Sequence, residues 1–86
     1  MTPTSRYNFG LRWKEELVAD IPGGKFVIGA PMGVLSVDFP TESTWERFAP
    51  DWAKGRWVEV GTELKLWCEK EGIPFYSEEG AWIQFE

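Results

Sequence analysis

Eighty-six residues with a net charge of −5 include six Trp, six Phe, two Tyr, one Cys and no His. The single cysteine excludes an intrachain disulfide. The missing imidazole excludes histidine-based catalytic triads and the commonest metal ligand, and no apolar run reaches the roughly 18 residues of a membrane-spanning helix.

Charge is placed unevenly. Residues 1–40 carry four basic and four acidic side chains, and residues 41–86 carry five and ten. Counterion release needs clustered Lys and Arg, so direct nucleic-acid binding is not expected. An acidic face that occupies the basic groove of a nucleic-acid-binding complex fits the same balance. The stretch MTPTSRYNFG lacks the apolar core of a signal peptide, and the expected location is the cytoplasm.

Residues 1–5 read as a flexible N-terminus and residues 6–86 as one globular domain. From residue 6 to 21 the chain alternates. Tyr7, Phe9, Leu11, Trp13, Leu17, Ala19 and Ile21 occupy seven of eight odd positions, and seven of eight even positions are polar. A period of two is that of a strand with one buried face, bent near Gly10 or Glu15. The competing reading is a helix over LRWKEELVAD, because Phe9, Trp13, Leu17 and Ile21 also stand at i, i+4 spacing. IPGGK then signals a turn. KFVIGA and VLSVDF flank PMG as a second hairpin, with Leu35, Val37 and Phe39 on one face and Ser36 and Asp38 on the other. An antiparallel meander of three strands results.

Pro40 ends the sheet segment. Ser43 with Glu46 forms a capping box that opens a short helix over residues 44–48. Ala49 precedes a proline and is pushed out of helical geometry, while Pro50 suits the first turn of a longer helix running to Glu71. Gly72 supplies the left-handed terminator, Ile73 its apolar contact, and Pro74 prevents continuation. On this helix Ala53, Trp57, Val60, Leu64, Trp67 and Cys68 form a stripe suited to packing on a sheet. Gly55 and Gly61, each about 1 kcal/mol worse than Ala in a helix, suit a close approach or a local bend. Finally, IPFYS and AWIQFE flank EEG as a C-terminal hairpin. Ala81, Ile83 and Phe85 share one face, Trp82 and Gln84 the other, and the pattern leaves open which is buried. The fold class is α+β, an antiparallel sheet in the order β-β-β-α-α-β-β with the long helix on one face.

No residue carries a catalytic signature. Cys68 within the apolar stripe reads as an inert core thiol. IPGGK and GAPMG lack the spacing of a phosphate-binding loop. Glu59 and Glu63, with Arg56 and Lys70 nearby, read as a solvated helix flank, and Glu78 and Glu79 as turn residues rather than a convergent acid pair or metal site. No catalytic, cofactor or metal residue is assigned, and the chain is not expected to be an enzyme.

Docking chemistry remains. Leu66 and Val58 fall outside the core stripe of the long helix, and Trp52 lies at its edge on the side of Leu66. Either the short helix or the termini cover them, or they are exposed to a partner. Trp and Arg dominate interface hot spots, so Trp52, Arg56, Glu59, Glu63 and Leu66, with the acidic Glu78 and Glu79, form the candidate docking surface. The leading expectation is a non-enzymatic protein-binding module that regulates or inhibits a larger protein partner. Phage-borne inhibitors such as anti-CRISPR proteins are the sharpest version, by likeness of type and without a motif. A small-ligand domain lined by Trp45, Trp52 and Trp57 and a dimerising accessory subunit are the alternatives, which leaves monomer and homodimer both open.

Overall fold

The alternation of residues 6–21 belongs to two strands, not one. In the computed structural model, which describes residues 7–12, 15–30 and 36–86, β1 (Asn8–Arg12) and β2 (Glu16–Ile21) pair antiparallel. The reading of residues 1–5, Trp13, Leu35 and the PMG turn lies outside the described residues. Phe9 faces Ala19 and Leu11 faces Leu17, so odd positions stay on one side through the turn. Glu15 carries that turn with φ at 60°, a left-handed geometry that side chains other than Gly and Asn seldom adopt. The helix alternative is excluded for these residues.

β2 continues into β3 (Gly24–Gly29) through Pro22 and Gly23, with Ile21 opposite Gly24. Gly23 takes a φ of 104°, which only glycine adopts easily. The IPGGK turn is therefore where the sequence places it. β4 (Val37–Pro40) meets β3 at Gly29 and Asp38 and then turns away into α1 (Glu42–Phe48).

The capping box does not form. α1 starts two residues earlier than expected, with Thr41 at its N-cap and no side-chain cap bond. Glu46 instead accepts a bond from the Gly55 N–H at 2.8 Å. Ala49 ends α1 in extended geometry (ψ 132°), as its position before Pro50 requires.

The long helix is shorter than expected, α2 (Trp57–Glu71). Pro50 starts only a single turn, accepting bonds from Ala53 and Lys54, and Gly55 at φ 77° ends it. Ala53 is buried but belongs to this turn and not to the helix. At the other end Gly72 is left-handed (φ 72°), and the Ile73 N–H reaches the Cys68 carbonyl at 2.9 Å, the expected termination.

The sheet is mixed. β5 (Phe75–Glu78) lies parallel to β4, Val37 opposite Phe75 and Pro40 opposite Glu78. β6 (Ile83–Phe85) pairs antiparallel with β3, Phe26 opposite Phe85. β4, β5 and β6 thus all run in one direction, and the expected C-terminal hairpin is absent. The chain instead leaves β5, turns at residues 79–82, and takes the place beside β3 that β4 vacates after Asp38. The α+β class holds, with six strands among the described residues in the order β-β-β-β-α-α-β-β.

One core fills the space between the helices and one sheet face. Leu17, Ala19 and Ile21 of β2, Phe26 and Ile28 of β3, and Val37 and Phe39 of β4 meet Val60, Leu64 and Cys68 of α2. Trp45 is fully buried and touches the rings of Phe26, Phe39 and Phe85 at 5.2, 5.6 and 5.0 Å. Ile83 and Phe85 face this core, and Trp82 is exposed. No helix among the described residues is long and apolar enough to cross a membrane.

Candidate functional site

α2 lies on the sheet with β1 along one flank and β5 along the other. Five of the seven residues assigned to docking belong to the β1 flank and its N-terminal end. Arg56 is the N-cap of α2. Its guanidinium donates to the Pro22 carbonyl, to the Trp52 carbonyl at 3.1 Å, and to the Glu59 carboxylate at 3.2 Å. The Tyr7 hydroxyl donates to the same Glu59 oxygen. These bonds tie the β2–β3 turn, the start of α2 and the residue before β1 into one network.

The network biases the proton on each member. Bonds from Arg56 and then Tyr7 hold the Glu59 carboxyl below the usual value of 4.5. Desolvation, followed by the bond to Glu59, raises the Tyr7 phenol above its usual 10.0. A lowered carboxylate pKa contributes stability that is fully present above the unfolded value and fades as pH falls through the folded one. The stability difference between the native chain and Glu59→Gln is therefore expected to be constant at neutral pH and to shrink below about pH 4.5. Urea unfolding of both chains across the acid range measures it, and a difference that grows on acidification would contradict this network.

Trp52 occupies a different setting from the edge-of-helix position expected for it. It lies in the turn before α2, half-buried, with its indole over Gly23 and Gly24 and edge-on to Phe85 at 5.9 Å. Nothing but hydrogen at Gly24 fits there, since a Cβ would come within 2.5 Å of the ring. Trp52 anchors the β2–β3 turn to β6.

Farther along the same flank, Glu63, Leu66 and Lys70 open onto a hollow of about 280 Å³ whose other walls are Tyr7, Phe9 and Trp67. Leu66 is 56% exposed. Phe9 and Trp67 pack ring to ring at 6.0 Å as the floor. The sequence pattern does not group Tyr7 and Phe9 with these helix residues. They stand more than fifty positions from their helix partners, and only the pairing of β1 with β2 carries them there.

Glu78 and Glu79 lie apart, at the end of β5, where the Thr44 hydroxyl donates to the Glu79 carbonyl at 3.0 Å. The acidic residues as a whole are spread over β2, β4, both helices and β5. On this second flank, Phe39, Trp57 and Phe75 floor a groove of about 210 Å³, with Val58, Thr62 and Lys65 of α2 along its rim. Val58 is 63% exposed.

The three neighbouring tryptophans are all engaged within the fold. The Trp45 indole donates to the Ala53 carbonyl at 2.9 Å and Trp57 to the Pro40 carbonyl at 2.8 Å, while Trp57 stacks on Phe39. Burial pushes the Cys68 thiol up to about 11, so it stays protonated at neutral pH. Among the described residues, no group of three or more Cys, Asp or Glu side chains is placed to hold a metal ion. No family model matches the chain, and neither the curated proteins nor the solved structures hold a match to it.

Proposed function

We propose that the chain is a small protein-binding module, a regulator or inhibitor that docks on a larger partner through the β1 flank of α2. The observation that carries this reading is Leu66, 56% exposed at the mouth of a hollow with an aromatic floor and a charged rim. An apolar centre inside a polar rim is the anatomy of a protein interface, where a few residues supply most of the affinity. The rim carries both signs, Glu63 and Lys70, which suits a partner of mixed charge. The spread of acidic residues favours such local docking over imitation of a nucleic-acid backbone. A tryptophan-lined ligand pocket is less supported, because of Trp45, Trp52 and Trp57 only Trp57 lines either hollow, and its indole N–H is already bonded to Pro40.

Leu66→Asp tests the reading. Leu66 lies outside the core, so folding is expected to be unchanged by circular dichroism. Binding to a partner captured by the native chain is expected to fall at least tenfold, about 1.4 kcal/mol or more. Equal capture by the two chains would overturn the assignment of this surface.

A further inference from the structure

Among the described residues β5 ends the sheet, and its outer edge is chemically specific. The Val37 N–H bonds to the Pro74 carbonyl at 2.9 Å. In a parallel pair each residue bonds the two neighbours of its partner, so with Val37 opposite Phe75 the backbone of Tyr76 also turns toward β4. The N–H and C=O groups of Phe75 and Ser77 therefore point outward. Both side chains line the groove beside α2, while Tyr76, 51% exposed, stands on the opposite face.

Most edge strands are guarded by proline, lysine, a bulge or a covering segment. Phe75–Glu78 has no proline, no lysine and no bulge. Outward backbone groups two residues apart, with an exposed aromatic between them, are self-complementary about a two-fold axis through Tyr76. Antiparallel pairing about that axis sets Phe75 opposite the second copy's Ser77 and satisfies all four outward groups on each shared side. It also brings the two Tyr76 side chains together at the closely spaced, non-hydrogen-bonded position.

Charge agrees with this arrangement. The Trp57 indole bonds Pro40, which is opposite Glu78, so α2 starts beside the Glu78 end of β5. Lys65, two helical turns on, lies toward the Phe75 end, and it lines the groove there. Antiparallel pairing places the Lys65 end of one copy beside the Glu79 end of the other, while Glu78 shares the exposed face of Tyr76. The geometry points to a homodimer formed through β5, the two sheets joining into one. This stands on the β5 flank alone and is independent of the docking surface proposed on the β1 flank.

Sedimentation equilibrium of the full chain from micromolar to millimolar concentration tests it. The expected mass at the upper end is twice 9.9 kDa, and a monomer throughout overturns the proposal, leaving the edge to a foreign strand. Ser77→Pro removes one outward N–H and no bond to β4, and it is expected to weaken the dimer at least tenfold. A native-like dimer of a folded Ser77→Pro chain also overturns it. Oxidative crosslinking gives a second measurement with the backbone intact. Tyr76→Cys, at the axis, is expected to crosslink much faster than Glu78→Cys, and equal rates overturn the register.

Discussion

Trp45→Ala is expected to leave the chain largely unfolded at room temperature. Trp45 has no exposed surface and is the largest fully buried side chain among the described residues. Its ring meets Phe26 of β3, Phe39 of β4 and Phe85 of β6, and its indole N–H holds the Ala53 carbonyl in the turn before α2. Truncation removes the contact that joins three strands to the segment between the helices. A buried Trp→Ala change costs about 3–5 kcal/mol, against a total of about 5–15 kcal/mol for a typical domain. An 86-residue chain without a disulfide belongs toward the low end of that range. Urea unfolding followed by circular dichroism measures the loss. A native-like midpoint for Trp45→Ala would mean that this ring cluster does not hold the core. The sequence alone places Trp57 in the stripe that packs the long helix on the sheet, where a comparable loss would be expected if it anchored the two. Trp57 is only half-buried and stacks on one ring, so its truncation is expected to cost less.

The second large effect is expected at a glycine. In Gly24→Ala the new methyl group would lie 2.5, 2.6 and 2.9 Å from three carbons of the Trp52 indole. Either the indole leaves its seat against Phe85 or the β2–β3 turn moves, and that turn accepts the Arg56 bond at Pro22. Overpacking of this kind costs about 1–3 kcal/mol. Because the clash is with one side chain, the two positions should couple. Gly24→Ala is expected to be damaging in the native background and nearly silent once Trp52→Ala has removed the ring. A double-mutant cycle measures the coupling, and additive effects would show that the clash is not with Trp52. From the sequence, Trp52→Ala is expected to spare folding. Its contacts with Gly23, Gly24 and Phe85 reverse that expectation.

The parts of the fold legible in the sequence were those decided by near neighbours. Gly72, Ile73 and Pro74 specify a helix end through local backbone geometry, and the structure ends α2 there. The stripe of Val60, Leu64 and Cys68 follows from helical period alone. The alternation of residues 6–21 marks the buried odd face of β2, and Glu15, one of the two places where a bend is expected, is where the chain turns, although period alone does not tell a bend from a hairpin. Arg12 pairs with Glu16 and Leu11 with Leu17, so odd positions face odd positions and the hairpin keeps the parity of a continuous strand. Glu15, the left-handed residue, carries no composition signal for its conformation.

Pairing partners were the illegible part. EEG between two apolar runs looks like a hairpin loop, yet β6 is drawn away by the vacancy that β4 leaves beside β3. That vacancy is a tertiary fact. The docking surface divides in the same way. Arg56, Glu59, Glu63 and Leu66 could be grouped by helix spacing, but Tyr7 and Phe9 come from another element. Trp52 falls on the helix edge in the sequence pattern because nothing local separates the turn at Pro50 from the helix that follows, whereas Gly55 at φ 77° divides them.

The insertion of β6 next to β3 also orders the events of folding. β2 and β3 are joined by a two-residue connection and can zip within microseconds. Ile28 must wait for Ile83, and closing so long a loop costs entropy that local contacts do not repay. Until then one side of β3, with Phe26, Val27 and Ile28, is an open apolar ladder in the middle of the molecule. The meander is therefore at its most aggregation-prone between its own formation and the arrival of the last strand. Any change that loosens β6 returns the native protein to that state, converting the centre of the sheet into an edge.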